Sequence, residues 1–360
     1  MLATDAHGGF GGIAQYNRDV IDALSGLPSV AEITVVPRII SSPEFASPPK
    51  TRYVRSASGV LLKFIFCSLR EGLFRGSYDL VYCAHLNLLP LAASITKIRR
   101  RPLVLAIYGI DAWSKPPSAL TRAALACVDV VISISQLTLD RFKSWAKPLR
   151  AELAIVPNAI RAADYGMGNK AEDLLARYRL AGRRVIMTLG RMDPNERAKG
   201  FDEIIELLPR LAEREPAIVY LCAGDGGDRM RLEAKAQSLG VADRVVFTGR
   251  FSESRKADHF RLSDAYIMPS RWEGFGFVVV EALACGIPVV ASTKDGTREA
   301  VRNGELGLLV DPKDADSLER AILDALSRPK AIPPGLDYFS FANFEKRLAA
   351  ALSNVAPGLV

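Results

Sequence analysis

Two carboxylates, Glu273 and Glu281, stand eight residues apart in the run SRWEGFGFVVVEALACGIPVVAS, Ser270 to Ser292. Glu273 precedes a small Gly274-Phe275-Gly276 hinge. Glu281 follows Val278-Val279-Val280 and precedes Ala282-Leu283-Ala284. A carboxylate accepts two hydroxyl hydrogen bonds, which suits the vicinal diol of a hexose or a ribose. An acid set among apolar neighbours also needs partners. A helix beginning near Gly276, with Phe277 in its first turn, would offer free N–H groups to a phosphate or sugar oxygen. One acid can then hold a hexose and the other a ribose, with phosphates between. The plain alternative is a helix-start Glu plus a satisfied buried Glu.

Cations upstream fit the same chemistry. In LGRMDPNERAKGFDEII, Leu189 to Ile205, Arg191 follows a strand and Lys199 stands just before a helix. A guanidinium fork and an ammonium point charge at one sheet edge suit a pyrophosphate; ordinary surface charge is the competing reading. Gly224-Asp225-Gly226-Gly227 and Thr248-Gly249-Arg250 are further strand-to-helix turns expected along that edge, each also compatible with plain loop chemistry. Near the start, GGFGG, Gly8 to Gly12, feeds a helix, so that Gly11 and Gly12 would let backbone N–H groups approach a phosphate or sugar. A merely tight turn would look the same. The run lacks the spacing and the downstream acid of a dinucleotide fingerprint.

Alternating elements must carry these turns. Strands are expected at Ile33–Ile39, Leu80–His85, Leu103–Tyr108, Val130–Ser135 and Leu153–Val156. A second series is Val185–Leu189, Ile218–Cys222, Val245–Thr248, Ala265–Met268, Pro288–Ala291 and Gly307–Val310. Most are near-continuous apolar runs, the mark of strands covered on both faces. Amphipathic stretches such as Gly12–Leu24, Phe201–Ala212 and Ala315–Leu326 separate them. The pattern predicts an α/β chain of two doubly wound, Rossmann-like domains facing across a cleft, with ligands outside the carboxyl ends of the strands. VPNAIRAADYG, Val156 to Gly166, marks the boundary, giving domains 1–160 and 161–335. Residues 336–360 hold an amphipathic helix expected to cross back and brace the first domain. The first strand is expected to be unusually short, or the start of the chain late.

Bulk properties set limits. A chain of 360 residues is too long for one ordinary core. At 49% hydrophobic and 24% charged residues it reads as soluble and globular, with no apolar run approaching a membrane span. No signal peptide is expected from Met1 to Phe10. The five cysteines lack a C-x-x-C pair and the three histidines lack metal-ligand spacing, so reduced core thiols in a cytosolic protein and no metal are expected. The net charge of +7 lies wholly within Met1 to Asn158, where 18 Lys and Arg meet 11 Asp and Glu. Clusters such as Lys97 to Arg101 and Arg141 to Arg150 suit an anionic partner, phospholipid headgroups or an anionic acceptor, against the bland reading of solvated surface charge. No aromatic-interleaved basic groove points to nucleic acid.

Taken together, EGFGFVVVE with ALACGIPVVAS, GGFGGIAQYNRDV, YDLVYCAH, YGIDAW, VISIS, VPNAI, LGRMDPNERAKGFDEII, AGDG, FTGRFSES and GLLVDPKDADSL resemble the retaining glycosyltransferases of family 4, which have the GT-B fold. The likeness runs through nearly the whole chain and is most specific in the C-terminal half. It implies that Arg191 and Lys199 bind the donor diphosphate and stabilise the leaving nucleotide. Glu273 would hold hydroxyls of the transferred sugar near the N–H groups of Gly274, Phe275 and Gly276, and Glu281 the donor ribose. Gly11 and Gly12 would lie close to the donor phosphate. Family members usually work without a metal. The family often has His before Gly in an HGxD/E element, where this chain has Tyr108, which could still hydrogen-bond the sugar or acceptor; His85 of YCAH is present as a candidate catalytic residue or a strand-end core residue, and Asp111 completes YGID as a sugar-side or local turn residue.

The function implied is transfer of a hexosyl unit from a nucleotide-diphosphate sugar to a glycan or lipid-linked acceptor with retention. Its setting would be surface polysaccharide or lipopolysaccharide assembly at the inner face of a membrane. The alternative is a non-catalytic nucleotide-sugar-binding subunit, motivated by Tyr108 and the clipped first strand. The stretch GVLLKFIFCSLREGLF, Gly59 to Phe74, reads as a membrane-facing helix or an ordinary core-covering one.

Overall fold

A computed structural model describes residues 1–42, 44–116, 118–147 and 149–359. The chain divides into two compact units, Met1–Ala159 with Phe341–Val360, and Ile160–Ser340. The 3-10 turn Pro334–Phe339 therefore falls in the second unit, and the returning segment starts at Phe341.

Among its described residues the first unit holds seven strands: β1 (Leu2–Ala3), β2 (Ile33–Pro37), β3 (Thr51–Tyr53), β4 (Val81–Ala84), β5 (Leu103–Ile107), β6 (Val130–Ser133) and β7 (Glu152–Ile155). All pair in parallel in the order β3-β2-β1-β4-β5-β6-β7. The helices between them are α1 (Gly12–Gly26), α2 (Leu61–Leu69), α3 (Leu89–Arg99), α4 (Ala119–Ala124) and α5 (Gln136–Trp145). The expected strands are present but stop one or two residues early, so His85 and Tyr108 begin the loops beyond β4 and β5. β3 has no counterpart in the sequence reading. It is a three-residue edge strand of half-buried Thr-Arg-Tyr, with no apolar run to announce it.

In the second unit α6 (Glu172–Tyr178) precedes β8 (Arg184–Leu189). Then come α7 (Phe201–Arg214), β9 (Ile218–Ala223), α8 (Arg229–Ser238), β10 (Val245–Phe247), α9 (Lys256–Leu262) and β11 (Ala265–Met268). α10 (Phe277–Ala284), β12 (Val289–Ser292), α11 (Thr297–Ala300), β13 (Leu308–Val310) and α12 (Ala315–Ser327) complete it. Its six strands are parallel in the order β10-β9-β8-β11-β12-β13. Strand order reverses between β1 and β4 in one sheet and between β8 and β11 in the other. Both units are thus doubly wound, and in such sheets the switch point is where ligands bind. The central strands β9 and β11 are buried at every position, as continuous apolar runs require.

The last helix, α13 (Phe341–Leu352), belongs to the first unit. Its buried residues Phe344, Leu348 and Leu352 recur every fourth position and so share one face. That face meets α1, where Tyr16 stands edge-on to Phe344 with ring centroids 5.5 Å apart. The Tyr16 hydroxyl donates to the Val156 carbonyl at 2.9 Å, fastening the end of the sheet to the same cluster. Replacing Phe344 by Ala should lower the stability of the first unit by roughly 3 kcal/mol. Amide exchange should then quicken in α1 and α13 and stay unchanged in β8–β13.

Candidate functional site

The turns leaving the second sheet lock onto one another. A Cβ on Gly224, which has φ 112°, would lie 2.2 Å from the Gly190 carbonyl oxygen, so only glycine lets the turns after β8 and β9 touch. The Gly224 N–H donates to the Thr248 hydroxyl at 3.1 Å, tying in the turn after β10, where Arg250 is exposed. The Arg271 N–H donates to the Ala198 carbonyl at 2.8 Å, joining the loop after β11 to the approach of α7. Arg191, Lys199, Gly224, Arg250 and the 270–276 loop therefore occupy one edge of this sheet.

Lys199 and Glu273 meet directly. The ammonium donates to Glu273 Oε2 at 2.9 Å, and both side chains are largely shielded. Burial alone would lower the Lys199 pKa; the adjacent carboxylate more than offsets this and holds it above the usual lysine value. Arg191 is exposed and pairs with Glu196, with Asp193 at 3.8 Å. Arg191 thus rests on acids of its own loop, and Lys199 on an acid of the loop after β11.

A buried acid that the sequence reading did not single out fixes the Glu273 loop. Asp295, 3% exposed, accepts the Glu273 N–H (3.0 Å) and the Ser270 hydroxyl (2.6 Å) on Oδ2. Its Oδ1 accepts the Thr297 N–H (3.1 Å) and hydroxyl (2.7 Å). The Gly296 N–H adds a bond of 2.8 Å to the Glu273 carbonyl. Burial pushes the Asp295 carboxyl up to about 6, against the pull of the Ser270 and Thr297 hydrogen bonds.

Glu281 lies in α10, which begins at Phe277 with Gly276 as its cap at φ 84°. A Cβ at Gly276 would come within 2.7 Å of Thr297, so this turn too requires glycine. Glu281 is fully buried; its Oε1 accepts the Tyr165 hydroxyl at 2.5 Å and the Lys256 ammonium at 2.7 Å. Its Oε2 has no hydrogen-bond partner among the described residues. Burial would lower the Lys256 pKa, and Glu281 beside it reverses that, keeping the ammonium charged. The half-buried Phe277 ring lies 5.8 Å from the same ammonium. The neighbouring Phe275 is buried edge-on against Phe339, and Gly274 is buried beside it. Lys256 and Tyr165 went unrecognised in the sequence. Their only signals were a lysine closing FTGRFSESRK and a tyrosine in the boundary segment.

The remaining expected residues lie in the first unit. Gly11, at φ 90°, and Gly12 are exposed and open α1. His85 begins the turn after β4, its Nδ1 accepting the Asn87 N–H at 3.1 Å, and burial lowers its pKa. Tyr108 is buried, and its hydroxyl donates to Asn17 Oδ1 on α1 at 2.8 Å. Asp111 caps the turn after β5 by accepting the Tyr108 N–H at 3.1 Å; burial pushes its carboxyl up to about 6.

Two doubly wound units of this kind are the architecture of the GT-B fold. The solved structure of Anabaena Alr3699/HepE in complex with UDP and glucose has this architecture. It superposes with a TM-score of 0.75 over 98% of this chain and 99% of that one, at 23% identity. Residues 173–332 match the family described as Glycosyl transferases group 1. The GDP-mannose-dependent alpha-(1-6)-phosphatidylinositol monomannoside mannosyltransferase of Mycolicibacterium smegmatis is 34% identical over 64% of this chain and 62% of its own length. An enzyme of the same name from Mycobacterium tuberculosis is 29% identical over 90% of this chain and 88% of its own.

Removing the Lys256 ammonium should leave Glu281 buried without its counter-ion. Lys256→Met is expected to cost about 3–5 kcal/mol in urea unfolding of the second unit. Adding Glu281→Gln should restore much of that loss, a coupling that a double-mutant cycle reads directly.

Proposed function

We propose that this protein transfers a hexosyl unit from a nucleotide-diphosphate sugar to a glycan or lipid-linked acceptor, retaining the anomeric configuration. The setting we assign is assembly of surface polysaccharide or lipopolysaccharide, with the protein peripheral at the inner face of the cell membrane. The observation that carries the reading is the pair of acid–cation couples, Lys199–Glu273 and Lys256–Glu281, flanking the start of α10. Among the described residues no helix is long and apolar enough to cross a membrane.

The chemistry follows from these couples. Arg191 and Lys199 take the donor diphosphate and meet the charge that grows on the departing nucleotide. As Lys199 turns toward phosphate, Glu273 is released to accept hydroxyls of the sugar, with the N–H groups of Gly274, Phe275 and Gly276 alongside. Glu281 is pinned through Oε1 and offers Oε2 to the ribose. These cations and the first N–H groups of α10 supply the positive charge, so transfer is expected without added metal. On the first unit, His85 accepts at Nδ1 and so carries its proton on Nε2, a neutral donor for the sugar or acceptor. The Tyr108 hydroxyl, committed to Asn17, acts through the shape of the β5 turn.

Thermal shifts with GDP, UDP, ADP and their sugars test the donor site, because a bound ligand raises apparent stability. GDP-mannose and UDP-glucose head the panel, given the names of the mycobacterial enzymes and the Anabaena complex. Glu281→Ala should erase most of the shift; an unchanged shift would move the ribose elsewhere. The anomeric configuration of the product, read by NMR, should match the donor. An inverted product sinks the retaining assignment, and tight nucleotide binding without turnover favours the non-catalytic subunit.

Asp295 supplies a pH test. With its carboxyl titrating near 6, it is charged at neutral pH and accepts four donors. Protonated, it must donate at one oxygen and drops part of the Glu273 loop. Nucleotide-sugar affinity should therefore weaken about tenfold as pH falls through 6, the loss of roughly one such bond. Asp295→Asn should bind as weakly at pH 7.5 and lose the pH dependence.

A further inference from the structure

Helix α2 is apolar on the side that faces away from its core. Phe64, Cys67 and Ser68 are its buried residues. At 100° per residue, Leu62 and Phe66 fall on the opposite side, and they are 76% and 65% exposed. Phe74, 81% exposed, ends the turn Arg70–Phe74 that follows. Soluble monomers rarely leave so many large apolar side chains together in water.

Cations border this strip. Lys63 and Arg70, seven residues apart, share one flank of the helix, and Arg75 follows Phe74. The end of α3 is tied alongside: Arg99 donates to the carbonyls of Leu73 (3.3 Å) and Gly76 (2.7 Å). That bond brings up exposed Ile98, Arg100 and Arg101. From Val60 to Arg101 the chain has seven Lys and Arg against two acids, Glu71 and Asp79. Of these, Glu71 is buried and already held by Arg52, Arg70 and Arg75.

We infer that this apolar strip with its cationic border, α2 together with the end of α3, is the surface by which the protein docks on an anionic phospholipid layer. The inference deepens the membrane part of the function proposed above and names the elements that make the contact. α2 lies in the plane of the interface, with Leu62 and Phe66 among the acyl chains and the cations at the phosphates. Charge selects this occupant over a second copy of the chain, because two such strips face to face would oppose like charges. Arg99 is a brace within this surface, so Arg100 and Arg101 are the cations to test.

The test is sedimentation of the full chain with vesicles of phosphatidylcholine alone and of phosphatidylcholine with phosphatidylglycerol. Binding should require the anionic lipid and fall as salt rises. Leu62→Ser/Phe66→Ser and Arg100→Gln/Arg101→Gln should each weaken it by about tenfold or more, while the nucleotide thermal shift stays as in the unaltered protein. Equal binding to both vesicles, or binding that Leu62→Ser/Phe66→Ser leaves unchanged, overturns the inference. So does a dimer in light scattering that Leu62→Ser/Phe66→Ser dissociates, since the strip would then serve a second copy. Vesicle binding without any nucleotide shift would defeat the donor assignment and leave this surface standing.

Discussion

Glu281 is a carboxylate with no exposed surface, set in a helix of valine, alanine and leucine, and the second unit is arranged to hold it there. Burying a charge without compensation costs many kcal/mol. The compensation comes from two distant parts of the sequence, Tyr165 in the boundary segment and Lys256 at the start of α9. Both act on one oxygen, which fixes the carboxylate plane and leaves the other oxygen without a partner among the described residues. Buried ion pairs seldom add net stability when set against well-packed apolar residues. An acid kept in such a place, with half its hydrogen-bonding capacity unspent, is better accounted for by a ligand than by stability.

The same economy organises the outer acid. Glu273 sits on a loop, yet its backbone is held at N–H and carbonyl by Asp295 and Gly296 from the next connection. The loop after β11 is therefore as firm as the helix it introduces, while the Glu273 side chain stays able to exchange Lys199 for another partner. Glycines at positions 224 and 276 let these connections approach more closely than any Cβ allows. Rigid backbone with exchangeable side-chain charge is what binding of a flexible, charged diphosphate asks of a site.

In the first unit the polar residues behave differently. Tyr108 and Asp111 spend their hydrogen bonds on their own turn and on α1, so they shape the edge of the sheet. His85 likewise spends Nδ1 on its own turn, accepting the Asn87 N–H. Basic and apolar side chains gather instead on α2 and the end of α3, away from the core that those helices cover.

The sequence by itself determined the alternating architecture, because fully buried parallel strands must be apolar throughout and turns must be glycine-rich. It also showed the two acids and two cations as candidates, through the resemblance their motifs carry. It could not show β3, whose three half-buried residues pair only because β2 lies beside them. Nor could it pair Glu281 with Lys256 or Glu273 with Asp295, since those contacts span 25 and 22 residues and exist only once the strands are in register. Tyr108, read as a residue facing the sugar, turned inward because a buried phenol needs a partner and Asn17 lay within reach. Local pattern decides which elements form; which charge meets which is decided by the order of strands in the sheet, a property of the folded chain alone.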